Sequence, residues 1–115
     1  MRTSVALAVL LLTLIAALAL AQAPMPRCVS VEPATGKVGE EVTVKGENLD
    51  KANVAELRLN DGQAEVKVTI TEQTATSIRF KIPTEAKPGR HALVTFSKRI
   101  PRDLIIEQPV KLTIE

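Results

Sequence analysis

The chain has no tryptophan, no tyrosine, one cysteine, one histidine and two phenylalanines in 115 residues. Each scarcity removes a class of function. A lone Cys28 cannot cross-link its own chain, so no disulfide framework is available. One His and one Cys, with no nucleophile–base motif, leave no acid–base set for an enzyme. Zinc needs several His or Cys ligands, and no regularly spaced acidic loop suits calcium. Neither a P-loop nor a G-x-G-x-x-G stretch occurs, so no cofactor and no metal are expected. Asn48, Asn53 and Asn60 are followed two residues on by Asp50, Ala55 and Gly62, which excludes asparagine glycosylation. The sequence is also short of net charge. Its 15 basic side chains face 13 acidic ones, and without Arg2 the balance is 14 to 13, a net +1. That field is too weak for a general nucleic-acid binder. The length allows at most one ordinary domain.

What the chain has in abundance is concentrated at its start. Arg2 is followed by VALAVLLLTLIAALALA, residues 5–21, with Thr13 as its only polar side chain. A basic start, an apolar run and alternating small residues predict a secretory signal peptide over residues 1–21. Ala19-Leu20-Ala21 offers a cleavage site ahead of Gln22. The competing Ala21-Gln22-Ala23 would put Pro24, with its fixed φ, directly after the cut. Uncleaved, the run is nearly long enough to anchor the chain in a membrane. The expected location is therefore secreted or periplasmic, in the cell envelope, with no stable span once processed and with membrane anchoring if the segment stays. Met25-Pro26-Arg27 before Cys28 does not suit lipid attachment. In an oxidising compartment Cys28 is either a small buried hydrophobe or a thiol that pairs between chains.

Residues 22–28 form a short leader to a domain over 29–115, and that domain reads as strands. Seven runs show period-two alternation with Gly and Pro punctuation. Val29 to Glu32 stops at Pro33. Val42 and Val44 face in from the next run, which ends at Gly46. Ala55, Leu57 and Leu59 share a face against Glu56 and Arg58, and Asn60-Asp61-Gly62 signals a tight reversal. Val66, Val68 and Ile70 make the returning arm. Ile78, Phe80 and Ile82 point inward until Pro83. Ala92, Val94 and Phe96 alternate with His91, Leu93 and Thr95, where His91 reads as a solvated strand residue. In the last run Val110, Leu112 and Ile114 oppose Lys111 and Thr113, and Pro109 must sit at an edge or a break. Strands at this spacing without an amphipathic helix predict an all-β sandwich of two antiparallel sheets. Asp50, Asn53, Asn60 and Asp61 read as turn formers.

The segment VEPATGKVGEEVTVKGENL, from Val31 to Leu49, resembles the opening of the IPT/TIG family of immunoglobulin-like domains. Pro33 stops the first strand, Gly36 and Gly39 shape the turn, Val42-Thr43-Val44 makes the second strand, and Gly46-x-Asn48-Leu49 gives a bulged exit. Ser77-Ile78, Ile82-Pro83 and Gly89 ahead of 92–96 look like later strands of that family, so the resemblance spans about Val29 to Phe96. It implies an immunoglobulin-like two-sheet sandwich. It also implies a non-enzymatic binding or scaffold module that recognises protein or polysaccharide at the cell surface. The family's DNA-binding members do not extend to a nearly neutral exported chain.

One charge pattern stands apart. Lys98, Arg99 and Arg102 surround Ile100 and Pro101 on the connection between the last two strands. Loops at the ends of such sandwiches often carry recognition, because the sheets hold them while their side chains stay accessible. Lys98, Arg99, Ile100 and Arg102 are the candidate partner-binding residues of a monomer. The alternative is a structural subunit that assembles through an exposed edge strand or through Cys28.

Overall fold

The computed structural model describes residues 25–115, and nine strands organise them. These are β1 (Arg27–Glu32), β2 (Thr35–Gly36), β3 (Glu41–Glu47), β4 (Glu56–Asn60), β5 (Glu65–Lys67), β6 (Ile70–Gln73), β7 (Ser77–Lys81), β8 (Gly89–Ser97) and β9 (Leu104–Ile114). The signal segment and its cleavage site lie outside the described residues. Among the described residues no helix is long and apolar enough to cross a membrane.

One sheet has the order β1-β3-β7-β6 and the other β2-β9-β8-β4-β5. Every pairing is antiparallel except the two-residue contact of β2 with the end of β9, which is parallel. The core lies between the sheets. Phe80, Ile78, Val42 and Val44 of the first sheet meet Leu57, Leu59, Leu93 and Leu112 of the second, all fully covered. The alternation in β3, β4 and β7 thus selects the inward faces that the sequence marks.

The turns follow their chemistry. Asp61 accepts from the amides of Gln63 and Ala64 at 2.8 Å each, and Gly62 supplies a positive φ of 94° between β4 and β5. Asn53 donates to Asp50 at 2.8 Å in the loop after β3. Gly46 answers a different need. A Cβ there would lie 1.9 Å from the carbonyl oxygen of Arg27, so only glycine lets β1 cross the end of β3 at its bulge.

Three sequence expectations change. The arm through Val66, Val68 and Ile70 is not one strand: β5 belongs to the second sheet and β6 to the first, and the chain crosses between them at Val68 and Thr69. Cys28 lies inside β1 rather than ahead of it, because the Gly46 contact extends the pairing back to Arg27. His91 is 1% exposed instead of solvated. It shares the inward face of β8 with Leu93 and Thr95, and its Nε2 donates to the Lys87 carbonyl at 2.7 Å. Pro109 sits as expected, in a bulge where β9 spends three residues, 108–110, opposite Leu93 alone.

Candidate functional site

The strand pairings sort the loops into two ends. At the leading end lie Met25 and the connections 48–55, 74–76 and 98–103, linked by Asn48 Nδ2 donating to the Met25 carbonyl at 3.2 Å. At the trailing end lie 33–40, 61–64, 82–88 and Glu115, whose amide donates to Gly36 O at 2.9 Å. The chain therefore enters the sandwich at one end and leaves at the other. Charge is also divided. The leading-end loops carry Lys51, Lys98, Arg99 and Arg102 against Asp50 and Asp103, whereas the trailing-end loops carry Lys37 and Lys87 against Glu40, Asp61 and Glu85.

Loop 98–103 brings the sequence-marked residues together at the leading end. Ser97 pairs with Leu104 at its base, and Lys98 Nζ stands 3.5 Å from Asp103 Oδ2 across its neck. Ile100 is 99% exposed, Arg102 is exposed, and Arg99 is half-buried. An isoleucine with its whole side chain in water gains nothing for the fold, because apolar area stabilises only when it is removed from water.

Beside the neck is a surface that the sequence reading did not anticipate. A notch of about 170 Å³ is lined by Ala55, Glu56, Arg58, Phe96, Lys98 and Asp103. The Arg58 guanidinium lies 4.4 Å from the centre of the Phe96 ring, a cation–π contact. Arg58 also binds Glu56 at 3.0 Å and Glu65 at 3.4 Å, while Lys67 reaches Glu56 at 3.5 Å. The hydrogen bond from Arg58, helped by Lys67, holds the Glu56 carboxyl below the ordinary carboxylate range. Glu56 is thus ionised at neutral pH, and its attraction for Arg58 fades only as pH falls through that depressed value. Phe96 pairs across the strands with Ile105, which is 58% exposed. The available signal was the run of apolar residues at successive outward positions of β8, Ala92, Val94 and Phe96, where a solvated sheet face would carry polar groups.

On the other side of Glu56, a cleft of about 620 Å³ opens beside the crossover from β5 to β6, between Lys51, Val54, Lys67, Val68, Ile70 and Gln73. Gln73 Nε2 donates to the carbonyls of Leu49 and Val54, which fixes the cleft's wall. Among the described residues no group of three or more His, Cys, Asp or Glu side chains could hold a metal. Cys28 is fully buried, and burial pushes its thiol pKa up to about 12. Assembly through Cys28 would first require β1 to open.

The model of the IPT/TIG domain family matches residues 26–114, beyond the Val29 to Phe96 span of the resemblance at both ends. No curated protein matches the chain. Solved structures do. A protein of unknown function from Bacteroides thetaiotaomicron is 22% identical at TM-score 0.62, over 80% of this chain and 22% of its own. SGBP-B of the Bacteroides ovatus mixed-linkage glucan utilization locus, in complex with a mixed-linkage heptasaccharide, is 18% identical at TM-score 0.52, over 81% and 24%. An auxiliary nutrient binding protein from Bacteroides ovatus is 16% identical at TM-score 0.53, over 80% and 21%. At these identities the likeness concerns the fold, and this chain spans less than a quarter of each of these three solved chains.

Proposed function

The chain belongs to the IPT/TIG domain family, and from that premise we propose that it is an exported, non-enzymatic binding module of the cell envelope. In this reading residues 1–21 are a signal peptide removed before Gln22, residues 22–26 lead in, and the sandwich from the start of β1 at Arg27 acts as the module. The observation that carries the reading is the loop 98–103, where a fully exposed Ile100 stands among Lys98, Arg99 and Arg102 on a rigid sandwich end. Exposed apolar contact beside cations suits an acidic partner surface, since rim charges accelerate encounter and exclude cationic competitors. The glycan and nutrient proteins that share the fold make protein or polysaccharide the classes of ligand to test.

Capture from an envelope extract tests the reading. The wild type is expected to recover partners at low salt and to lose them at high salt, where the screening length contracts to about 3 Å near 1 M. The Arg99→Glu, Arg102→Glu double variant is expected to recover none. Equal recovery by both proteins would leave the charges as solubilising groups only.

A further inference from the structure

We propose that the 98–103 tip docks on an anionic phospholipid bilayer, so that the membrane itself is the acidic surface it meets. This rests on the reading above in taking the tip as the contact.

The argument is one of placement. Sequence alone marks residues 5–21 as membrane-seeking, and Met25 follows Ala21 by four residues. Four extended residues span at most about 14 Å. The tip covers a similar distance from the same end. Gln108 Nε2 donates to the Pro26 carbonyl at 3.1 Å, which fixes β9 beside the start of β1. Leu104 lies four strand residues nearer the leading end than Gln108, about 13 Å, and the loop projects past it. While residues 5–21 stay attached and inserted, the bilayer that holds them therefore lies within reach of Ile100.

The chemistry of the tip matches that location. Ile100 is 99% exposed and can enter the headgroup boundary with no loss to the core. Lys98, Arg99 and Arg102 outnumber the single carboxylate of Asp103, as a polybasic segment beside an anionic leaflet does. The trailing end offers no such combination. Its exposed Val38, 41% accessible, sits among loops in which acids outnumber bases.

Because the chain has no Trp or Tyr, one introduced indole reports without background. The full chain bearing Ile100→Trp is reconstituted into vesicles of phosphatidylglycerol and phosphatidylcholine in equal parts, and into phosphatidylcholine alone. In the anionic vesicles the indole emission should shift to the blue and be quenched by brominated acyl chains, and high salt should reverse both. Val38→Trp should show neither effect. Adding Arg99→Glu and Arg102→Glu to Ile100→Trp should lower the docked-to-free ratio, read from quenching, about fivefold for each cation removed. Emission from Ile100→Trp that ignores lipid charge, or that matches Val38→Trp, overturns the proposal. If envelope capture still depends on Arg99 and Arg102 in that case, the tip's partner is a protein or polysaccharide and the broader reading survives. If capture is also charge-independent, both fail.

Discussion

The two sheets are joined in two places by different physics. In the middle, Phe80 and Ile78 join Leu57, Leu59 and Leu93 in one buried apolar cluster. Along one side, where β1 meets β9, a single polar side chain does the joining. Gln108, 2% exposed, accepts from the Cys28 amide at 2.8 Å and donates to the Pro26 carbonyl at 3.1 Å and to Thr95 Oγ1 at 3.0 Å. The core tolerates any side chain of suitable volume and shape. The seam requires one amide, held at one depth, because each buried partner left unpaired costs its full desolvation. Cys28 lies at this seam as a thiol, and a hydrogen-bonded amide takes the place a covalent cross-link could have filled.

The largest expected effect tests the apolar side of this contrast. Phe80 is fully covered at the centre of the first sheet, so Phe80→Ala should cost about 3–5 kcal/mol in denaturant melts. A cost near 1 kcal/mol would mean that the core collapses around the gap and that the seam carries more of the fold. Gln108→Ala should follow, at about 2–4 kcal/mol, since it strands the Cys28 amide and the Thr95 hydroxyl. Hydrogen exchange should show the loss concentrated at Cys28 and the start of β1. Protection that falls evenly over both sheets would erase the distinction between seam and core.

The contrast was only half legible in the sequence. The apolar middle announces itself, because Val42, Val44, Ile78, Phe80 and Ile82 repeat at period two and one sheet face must collect them. A lone glutamine in a strand announces nothing. Gln108 shares the inward parity of Val110, Leu112 and Ile114, because the two extra residues of the bulge at Pro109 preserve the alternation, but Pro109 interrupts the strand pattern and a polar residue at 108 hides that continuity. His91 was misread for a related reason. Both faces of 91–96 carry apolar residues, so periodicity cannot choose between them, and the Leu93 face won because it opposes Leu57 and Leu59. At the leading end the charges of the tip were visible in sequence. The Arg58–Phe96 contact was not, since those residues lie 38 positions apart and meet only through the pairing of β4 with β8.

Cys28 sharpens the comparison further by reporting on the seam chemically. Cys28→Ser should cost about 1–2 kcal/mol, the penalty of a hydroxyl in a site that offers the side chain no partner. The native thiol should resist alkylation until the chain unfolds. Its pKa gives a sign for alkaline conditions. An unfolded thiol ionises near its ordinary value of 9.0, whereas the buried one holds its proton to about 12. Between those values the folded state binds more protons than the unfolded state, so stability falls as pH rises. Melts of wild type and Cys28→Ala from pH 8 to 11 should diverge in that direction. Parallel curves would show that water reaches the sulfur and that the seam is open.

The smallest expected effect separates both regions from the tip. Arg99→Glu with Arg102→Glu changes two charges on a loop that also carries the exposed Lys98–Asp103 pair, a kind worth about 1 kcal/mol or less. Stability should move by no more than about ±0.5 kcal/mol, while capture and lipid docking respond strongly. The reason is structural. Ser97 and Leu104 close the loop from within the sheet, and Ser97 Oγ donates to the Asn53 carbonyl below it, so the neck is held from the sheet side. A melt that drops by more than about 2 kcal/mol would show that Arg99 or Arg102 supports the neck. The tip would then belong to the fold, and its fully exposed isoleucine would need another explanation.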